Sequence, residues 1–362
     1  MNILLAAGGT GGHLFPAAAL ASALRARGIE VDLATDERAL KYGGEFPARA
    51  IHAIPSGTPT RAGLVAKAEA AARLGLGVLV AARLIRRLRP AAVVGFGGDP
   101  TVPPLVAASF LGVPAILHEQ NAVLGRANKF LAGRVQVIAT GFPDLGGVAP
   151  GLKSKLRYTG NPVRPAVLAA AATPYPGLAG GRLHVLVTGG SQGARVMSEV
   201  VPAALARLSP EERARLTLVL QARGEDRERA QAECRRLDFA ADIAEFFADL
   251  PARIAAADLV VARAGASTVS ELAVIGRPSI LVPYPHALDQ DQAANAALLA
   301  EAGAAEVVRQ SEFTPDALAA RLRAALADPA ALKAKAEAAR RAGVPDAAER
   351  LAALVAKVAG GG

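Results

Sequence analysis

One cysteine, no tryptophan and an aromatic share of 4% are the scarcest features of this 362-residue chain. The lone thiol, Cys234, excludes an internal disulfide framework and fits a reducing compartment. The five histidines show no metal-ligand spacing, so we expect no metal site. No aromatic residues interleave with the basic side chains of the segment Leu64–Arg89, which leaves nucleic-acid binding by base stacking without support.

Long hydrophobic runs are absent as well. The longest candidate for membrane contact, Leu74–Ala82, has nine residues and is too short to span a bilayer. The apolar run Ile3–Ala7 is shorter still and leads straight into a glycine loop, which does not fit a secretory signal. We therefore expect a cytoplasmic protein that at most lies on a membrane surface.

The excess of positive charge is confined to one half of the chain. Residues 1–162 carry 18 Lys and Arg against 9 Asp and Glu, whereas residues 163–362 carry 23 of each. This asymmetry predicts an anionic partner for the first half, which is a nucleic acid, a phosphorylated substrate or an anionic membrane.

Short apolar runs alternate with helical segments in both halves. This order predicts an α/β fold with doubly wound parallel sheets, because buried parallel strands are apolar on both faces. The length accommodates two such domains. Strands are expected at Asn2–Ala7, Glu30–Thr35, Ala92–Gly95, Ala115–His118, Gln136–Thr140, Leu183–Thr188, Leu216–Gln221, Leu259–Ala262 and Ser279–Pro283. Helices are expected at Pro16–Arg27, Val102–Leu111, Arg195–Leu208, Arg227–Leu237, Thr268–Ile275 and Gln292–Glu301.

A stretch rich in proline and glycine, residues 160–177, marks a linker between the two domains. We place the first domain at residues 1–162 and the second at residues 163–342. A final helix in residues 343–362 has Leu351, Leu354, Val355 and Val358 at helical spacing, which predicts that it packs back on the first domain.

Two glycine loops repeat at an offset of 181 residues, Gly8-Gly9-Thr10-Gly11-Gly12-His13 and Gly189-Gly190-Ser191-Gln192-Gly193-Ala194. Each places backbone N–H groups and a hydroxyl at a helix N-terminus, an arrangement that binds phosphate. Two such units imply two nucleotide-binding-type domains facing one cleft, which suits the joining of two phosphorylated substrates. Two structural glycine turns are one alternative. The other is a hydrolase nucleophile elbow at Ser191 with His286 downstream, which the threonine at the matching position of the first loop disfavours.

A second motif, Arg263 to Glu271, follows a predicted strand. Its small residues let the backbone approach a ligand, and we expect Ser267 and Thr268 to cap the helix that follows. Glu271 then either accepts hydrogen bonds from a ribose or caps the first turn of that helix, and the sequence leaves both open.

Polar side chains also end the strand at Ala115–His118. In the run His118-Glu119-Gln120-Asn121, a buried and hydrogen-bonded role is favoured for His118, and substrate contact for Asn121. His13 lies in the first glycine loop, where it acts either as a general base or as a phosphate or helix-capping ligand.

The segment Leu64–Arg89 combines apolar side chains with six basic ones, and a seventh basic residue, Arg61, precedes it. It is interpreted either as a helix that covers the sheet, broken at Gly75 and Gly77, or as a basic amphipathic surface for an anionic membrane.

Six motifs follow one another along nearly the whole chain: GGTGGH at 8–13, HEQN at 118–121, GNPVR at 160–164, GGSQGA at 189–194, RAGAST with Glu271 at 263–271, and Gln292 with Asn295. In this order and spacing the chain resembles the MurG family, the peptidoglycan N-acetylglucosaminyltransferases that convert lipid I to lipid II. The resemblance implies a GT-B fold of two Rossmann-like domains facing a central cleft, and no cofactor.

For the donor UDP-GlcNAc, the resemblance implies uracil near Phe247, ribose on Glu271, and diphosphate on Ser191 and the helix start Ala266–Thr268. The further donor contacts that it implies are Thr10, Gly11, Gly12, Asn121, Arg164, Gly190, Gln192, Ser267 and Gln292. Acceptor contacts are implied for Gly9, Thr10, Gly12, His13, Glu119 and Asn121.

The resemblance implies that the muramyl C4 hydroxyl of lipid I attacks the anomeric carbon with inversion, giving a β-1,4 bond. His13 is then the candidate catalytic base, and Arg164 and helix N-termini stabilise the departing UDP. Residues 64–89 would lie on the cytoplasmic face of the cell membrane, and cell-wall and division proteins are partners implied in the same way.

Two positions depart from the family pattern. Asp99 stands where the family usually has tyrosine, and Asp291 where it has histidine or glutamine. Two other functions remain as alternatives, another UDP-GlcNAc enzyme such as a soluble transferase or a 2-epimerase, and a non-catalytic UDP-sugar-binding regulator.

Overall fold

The chain divides into two compact units, residues 1–164 with 345–362, and residues 165–344. The computed structural model describes residues 1–8, 11–36, 46–57, 64–190, 193–285 and 291–361. The boundary at Arg164 and Pro165 lies two residues beyond the one predicted. The last helix belongs to the first unit, where Leu351 and Val355 are buried in the same cluster as Leu20 and Leu24.

The first unit is built on a seven-stranded parallel sheet in the order β3-β2-β1-β4-β5-β6-β7. Buried aliphatic side chains cover both of its faces, as a parallel sheet flanked by helices requires. Its strands are β1 Asn2–Ala6, β2 Glu30–Thr35, β3 Ala50–Ala53, β4 Ala92–Gly95, β5 Ala115–Glu119, β6 Val137–Thr140 and β7 Leu156–Tyr158.

The second unit repeats this plan with six parallel strands in the order β10-β9-β8-β11-β12-β13. The two sheets share the strand order of dinucleotide-binding folds, which confirms the predicted doubly wound α/β class. Its strands are β8 Leu183–Thr188, β9 Leu216–Gln221, β10 Ala241–Ala244, β11 Leu259–Ala262, β12 Ser279–Leu281 and β13 Ala305–Val307.

Helices flank the sheets of both units. Those of the first unit are α1 Gly11–Ala26, α2 Leu64–Leu88, α3 Val102–Phe110, α4 Arg126–Leu131 and, near the end of the chain, α14 Ala347–Ala359. Those of the second unit are α5 Pro165–Ala171, α6 Arg195–Leu205, α7 Pro210–Ala214, α8 Gly224–Arg236, α9 Leu250–Ala256, α10 Ala266–Ile275, α11 Asp291–Glu301, α12 Pro315–Ala327 and α13 Pro329–Ala342. Within the described part of the chain, no helix is both apolar enough and long enough to cross a bilayer.

The expected break in the segment Leu64–Arg89 is wrong, because α2 runs without interruption through Gly75 and Gly77. Gly77 is buried, and a Cβ added to it would lie 2.1 Å from the Pro55 carbonyl oxygen and 3.0 Å from Pro103 Cγ. The glycine therefore permits close packing of α2 on its neighbours rather than ending a helix.

Candidate active site

The strand order of the first sheet reverses between β1 and β4, and two glycine-containing loops leave the sheet at this point. Ligands of open α/β sheets bind at the carboxyl ends of the strands beside such a reversal. Thr101, fully buried, donates hydrogen bonds from its hydroxyl to the carbonyls of Ala6, at 3.1 Å, and Gly97, at 2.7 Å. The end of β1 is thereby tied to the loop after β4.

His13 lies at this edge as the third residue of α1 and is partly buried. Its Nδ1 lies 3.2 Å from the Gly8 carbonyl oxygen, so Nδ1 carries the proton and Nε2 is the proton acceptor. Burial lowers the pKa of the imidazole, while the Gly8 carbonyl and the Asp99 carboxylate act in the opposite direction. The neutral imidazole has the tautomer that a general base needs.

His118 occupies a different environment, fully buried at the end of β5. Its Nε2 donates to the Gly160 carbonyl at 3.2 Å, and its Nδ1 accepts from the Gln120 amide at 3.0 Å. Burial lowers its pKa to about 4. Both ring nitrogens are occupied by protein groups, so the predicted structural role of His118 is confirmed.

Glu119 is also buried, with an exposed fraction of 2%. One carboxylate oxygen accepts from the Asn121 backbone N–H at 3.0 Å, and the other accepts from the Gly125 N–H at 2.9 Å and the Asn128 amide at 2.7 Å. Burial raises the pKa of the carboxyl group, and these donors oppose that rise. Glu119 therefore shapes the loop that presents Asn121, which is partly exposed.

Arg164 is the last residue of the first unit and is partly buried. Its guanidinium lies over the ring of Phe15 in α1. Gly11 and Gly12 form the start of α1, with Gly11 buried and Gly12 exposed. Gly9 and Thr10 lie outside the described residues, so their predicted contacts stay predictions.

In the second unit, the loop after β8 is the counterpart of the first glycine loop. Gly190 and Gly193 both have positive φ, 75° and 70°, and the Gly193 N–H donates to the Gly190 carbonyl at 3.0 Å. The next helix begins at Arg195, 184 residues after the start of α1 rather than 181. The two loops therefore enter their helices differently. Ser191, Gln192 and His286 lie outside the described residues.

Helix α10 begins at Ala266, beside the end of β11 at the reversal point of the second sheet. Its N-cap is Gly265, and no side chain caps it, so the expected capping by Ser267 and Thr268 is wrong. Both side chains instead lie within the first turn, among the N–H groups that an anion would meet. Glu271 is the sixth residue of the helix and is buried, which excludes the alternative of a first-turn cap.

Gln292 is positioned by a hydrogen bond that leaves its amide group available for donation. Its side-chain oxygen accepts from the Tyr284 N–H at 2.9 Å, so the amide Nε2 points away from that contact. Asn295, one turn further along α11 and fully buried, donates to the Ala264 carbonyl at 3.1 Å. Helix α11 is thereby tied to the loop before α10. Asp291 accepts from the Gln292 N–H at 3.0 Å.

Phe247 is buried, and the guanidinium of Arg253 lies over its ring at 4.2 Å from the centroid. The neighbouring Phe246 is 75% exposed. The predicted uracil position near Phe247 thus adjoins an accessible aromatic ring.

Arg263 is a structural contributor to which the sequence analysis assigned no role of its own. It is 92% buried and donates to the carbonyls of Val282 and Pro283, at 3.0 and 3.2 Å, and to the Gln310 side chain at 2.6 Å. A charged residue directly after a buried strand was the available signal, because such a residue needs several hydrogen-bond partners.

Both units match known domain families. Residues 3–140 match the glycosyltransferase family 28 N-terminal domain, and residues 184–351 match the glycosyltransferase family 28 C-terminal domain. The UDP-N-acetylglucosamine--N-acetylmuramyl-(pentapeptide) pyrophosphoryl-undecaprenol N-acetylglucosamine transferase of Methylobacterium sp. (strain 4-46) is 62% identical over 99% of this chain and 96% of its own length. The protein of the same name from Agrobacterium fabrum is 54% identical over 99% of this chain and 95% of its own.

The comparison with solved structures agrees with these family matches. Acinetobacter baumannii MurG superposes with a TM-score of 0.77 at 30% identity, covering 98% of this chain and 99% of its own. The UDP-GlcNAc 2-epimerase from Neisseria meningitidis, bound to UDP-GlcNAc, has a TM-score of 0.69 at 13% identity over 99% of this chain and 100% of its own. The second likeness shows the shared fold alone.

Proposed function

The chain belongs to glycosyltransferase family 28, and on that premise we propose that it transfers GlcNAc from UDP-GlcNAc to the MurNAc C4 hydroxyl of lipid I, forming lipid II. The relatives that match it end to end carry the name of this activity. The structural observation that supports the chemistry best is the tautomer of His13, whose Nδ1–H is engaged by the Gly8 carbonyl and whose Nε2 accepts a proton.

The second domain holds the donor in this proposal. The first-turn N–H groups of α10, with Ser267 and Thr268, surround the diphosphate, and Gly190, Ser191 and Gln192 are further donor contacts. Glu271 binds the ribose. The Gln292 amide, oriented by the Tyr284 N–H, donates to the sugar. Uracil lies against the backbone near Phe247.

The first domain holds the acceptor diphosphate on the loop with Gly9, Thr10 and Gly12. The acceptor C4 oxygen attacks the anomeric carbon as the bond to UDP breaks, and His13 Nε2 takes the hydroxyl proton. UDP leaves with the electron pair, and its growing negative charge is stabilised by helix N-termini and Arg164. The attack inverts the anomeric carbon and so forms a β-1,4 linkage.

The acceptor is lipid-linked, and α2 offers a surface for the cytoplasmic face of the membrane. Leu76 and Leu79 are 52% and 59% exposed on this helix. Arg73, three residues before Leu76, and Arg83, four residues after Leu79, are exposed on the same side. Apolar and basic side chains together bind anionic bilayers.

A transfer assay with labelled UDP-GlcNAc and a short-chain lipid I analogue tests the proposal. Acceptor-dependent disaccharide and UDP are expected. Epimerised sugar, or UDP released without acceptor, would identify a 2-epimerase instead. Donor that binds and stays intact would identify a UDP-sugar-binding regulator.

Two variants test the residue roles in the same assay. His13→Ala should abolish most turnover at saturating acceptor, and near-normal turnover would exclude it as the base. Glu271→Ala should raise the donor KM, and an unchanged KM would exclude the ribose contact.

A further inference from the structure

The segment Gly97–Thr101 packs directly against His13 and Gly8. A Cβ added to Gly98 would lie 3.3 Å from His13 Cε1 and 3.4 Å from its Nδ1. A Cβ added to Gly8 would lie 3.0 Å from Pro100 Cγ. The segment therefore contacts both the histidine ring and the carbonyl-bearing residue that fixes its tautomer.

The direction of this segment is fixed by its backbone. Gly97 and Gly98 have φ values of 86° and 75°, which turn the chain sharply before a short 3-10 helix at Asp99–Thr101. Pro100 and Thr101 are buried, whereas Asp99 is partly exposed. The turn thus places the Asp99 carboxylate directly after Gly98, the residue that contacts the imidazole.

Three groups act on the His13 ring from the elements packed around it. Burial is the largest cause that disfavours its positive form, whereas the Gly8 carbonyl and the Asp99 carboxylate favour it. The N-terminal N–H groups of α1 also disfavour a positive charge at this place. The Asp99 carboxylate acts on His13 through its negative charge.

We propose that Asp99 is a positioning residue that stabilises the His13 imidazolium formed as the acceptor hydroxyl is deprotonated. The catalytic role of Asp99 rests on the proposed function, whereas the electrostatic interaction between Asp99 and His13 does not. A proton moves from the acceptor oxygen to His13 Nε2, and the negative charge of Asp99 attracts the cation that results. The proton then leaves to water.

The coupling is measured by NMR titration of the five histidine rings in the full chain. His13→Gln identifies the His13 resonance. Asp99→Asn should move the His13 titration to lower pH, because the imidazolium loses its anionic neighbour. Asp144→Asn, an exposed site in the same unit, removes the same net charge and should leave it unchanged. Equal titrations in the two variants would overturn the inference.

The catalytic part is measured by the pH dependence of kcat/KM. In Asp99→Asn the acidic limb should move to lower pH and the plateau should fall by about 3- to 10-fold, because a weaker base transfers protons less well. An Asp99→Glu variant should restore both the position of the acidic limb and the height of the plateau. A shifted titration with an unmoved acidic limb would overturn the catalytic part, whereas a wild-type chain without transfer would refute the proposed function and leave the coupling standing.

Discussion

The guanidinium carbon of Arg164 lies 4.6 Å from the centroid of the Phe15 ring. Phe15 is 42% exposed near the start of α1, where a large apolar side chain needs a reason to remain accessible. The ring restricts the guanidinium to one face.

Replacing Phe15 should therefore weaken donor binding through Arg164. Phe15→Leu removes a cation–π contact of about 0.5–2 kcal/mol and should raise the donor KM by about 2- to 30-fold, with kcat much less affected. Phe15→Tyr keeps the ring face and serves as the matched control. If Phe15→Leu and Phe15→Tyr give the same donor KM, Phe15 does not position Arg164.

The pKa of His118 predicts a loss of stability in acid. The unfolded chain takes up a proton near pH 6.5, whereas folded His118 does so only near pH 4. Between these values the unfolded state binds more protons, so the free energy of unfolding should fall as the pH drops, by up to about 3 kcal/mol. Urea denaturation from pH 7.5 to pH 4 measures this loss. His118→Asn should be less stable at neutral pH but show a flatter profile, and equal slopes would contradict the assignment.

Glu119→Gln should destabilise the first unit by about 1–3 kcal/mol. A carboxylate accepts hydrogen bonds on both oxygens, but an amide has one acceptor oxygen. Whichever way the glutamine turns, its NH2 faces the N–H of Asn121 or of Gly125. Chemical denaturation measures the effect, with Glu69→Gln on the exposed part of α2 as control. A Glu119→Gln chain as stable as that control would show that these bonds contribute little.

Arg277 should be the most sensitive basic residue of the second unit. Its side chain is fully buried and donates to the carbonyls of Thr173, Pro174, Ala255, Ile275 and Gly276. Arg277→Lys keeps the charge but cannot reach all five acceptors. We expect a loss of about 3 kcal/mol or more, measured by denaturation, against less than about 0.5 kcal/mol for the exposed Arg235→Lys. Similar losses in both variants would contradict this role.

The exposed face of α2 is tested by its affinity for vesicles. Leu79→Glu should lower binding to anionic vesicles at least about 10-fold, because it removes an apolar contact and adds a negative charge. Leu168→Glu on α5, where Leu168 is 41% exposed, is the matched control. Both variants should fold normally. Equal vesicle binding by the two would place the membrane contact elsewhere.

The central strands and the loops that follow them could be predicted from the sequence because each carries its own signal. Continuous apolar runs predicted the strands β1, β4, β8 and β11, and glycine-rich runs predicted the turns after β1 and β8. The edge strand β13 and the short strand β7 were missed. Each consists of only three partly or fully exposed residues, which show no periodic pattern of apolar side chains. Their pairing partners supply the structure that their own residues do not specify.

The candidate site shows the same division. His13 and Glu271 were found from motifs, since each occupies a fixed place beside a glycine loop. The hydrogen-bond network of Glu119 was not, because Gly125 and Asn128 carry no signal of their own before the chain folds. The turn that brings Asp99 to His13 depends on positive φ at two successive glycines, which spacing alone does not reveal.

The close packing at Gly77 also affects the opposite, exposed face of α2. Because there is no room for a side chain between Gly77 and the Pro55 carbonyl, the helix backbone packs closely on its neighbours at this point. In the proposed membrane contact, the packing at Gly77 would therefore fix the angle at which Leu76, Leu79 and their flanking arginines meet the lipid headgroups. Substitutions of these outer residues would change the strength of binding but not that angle.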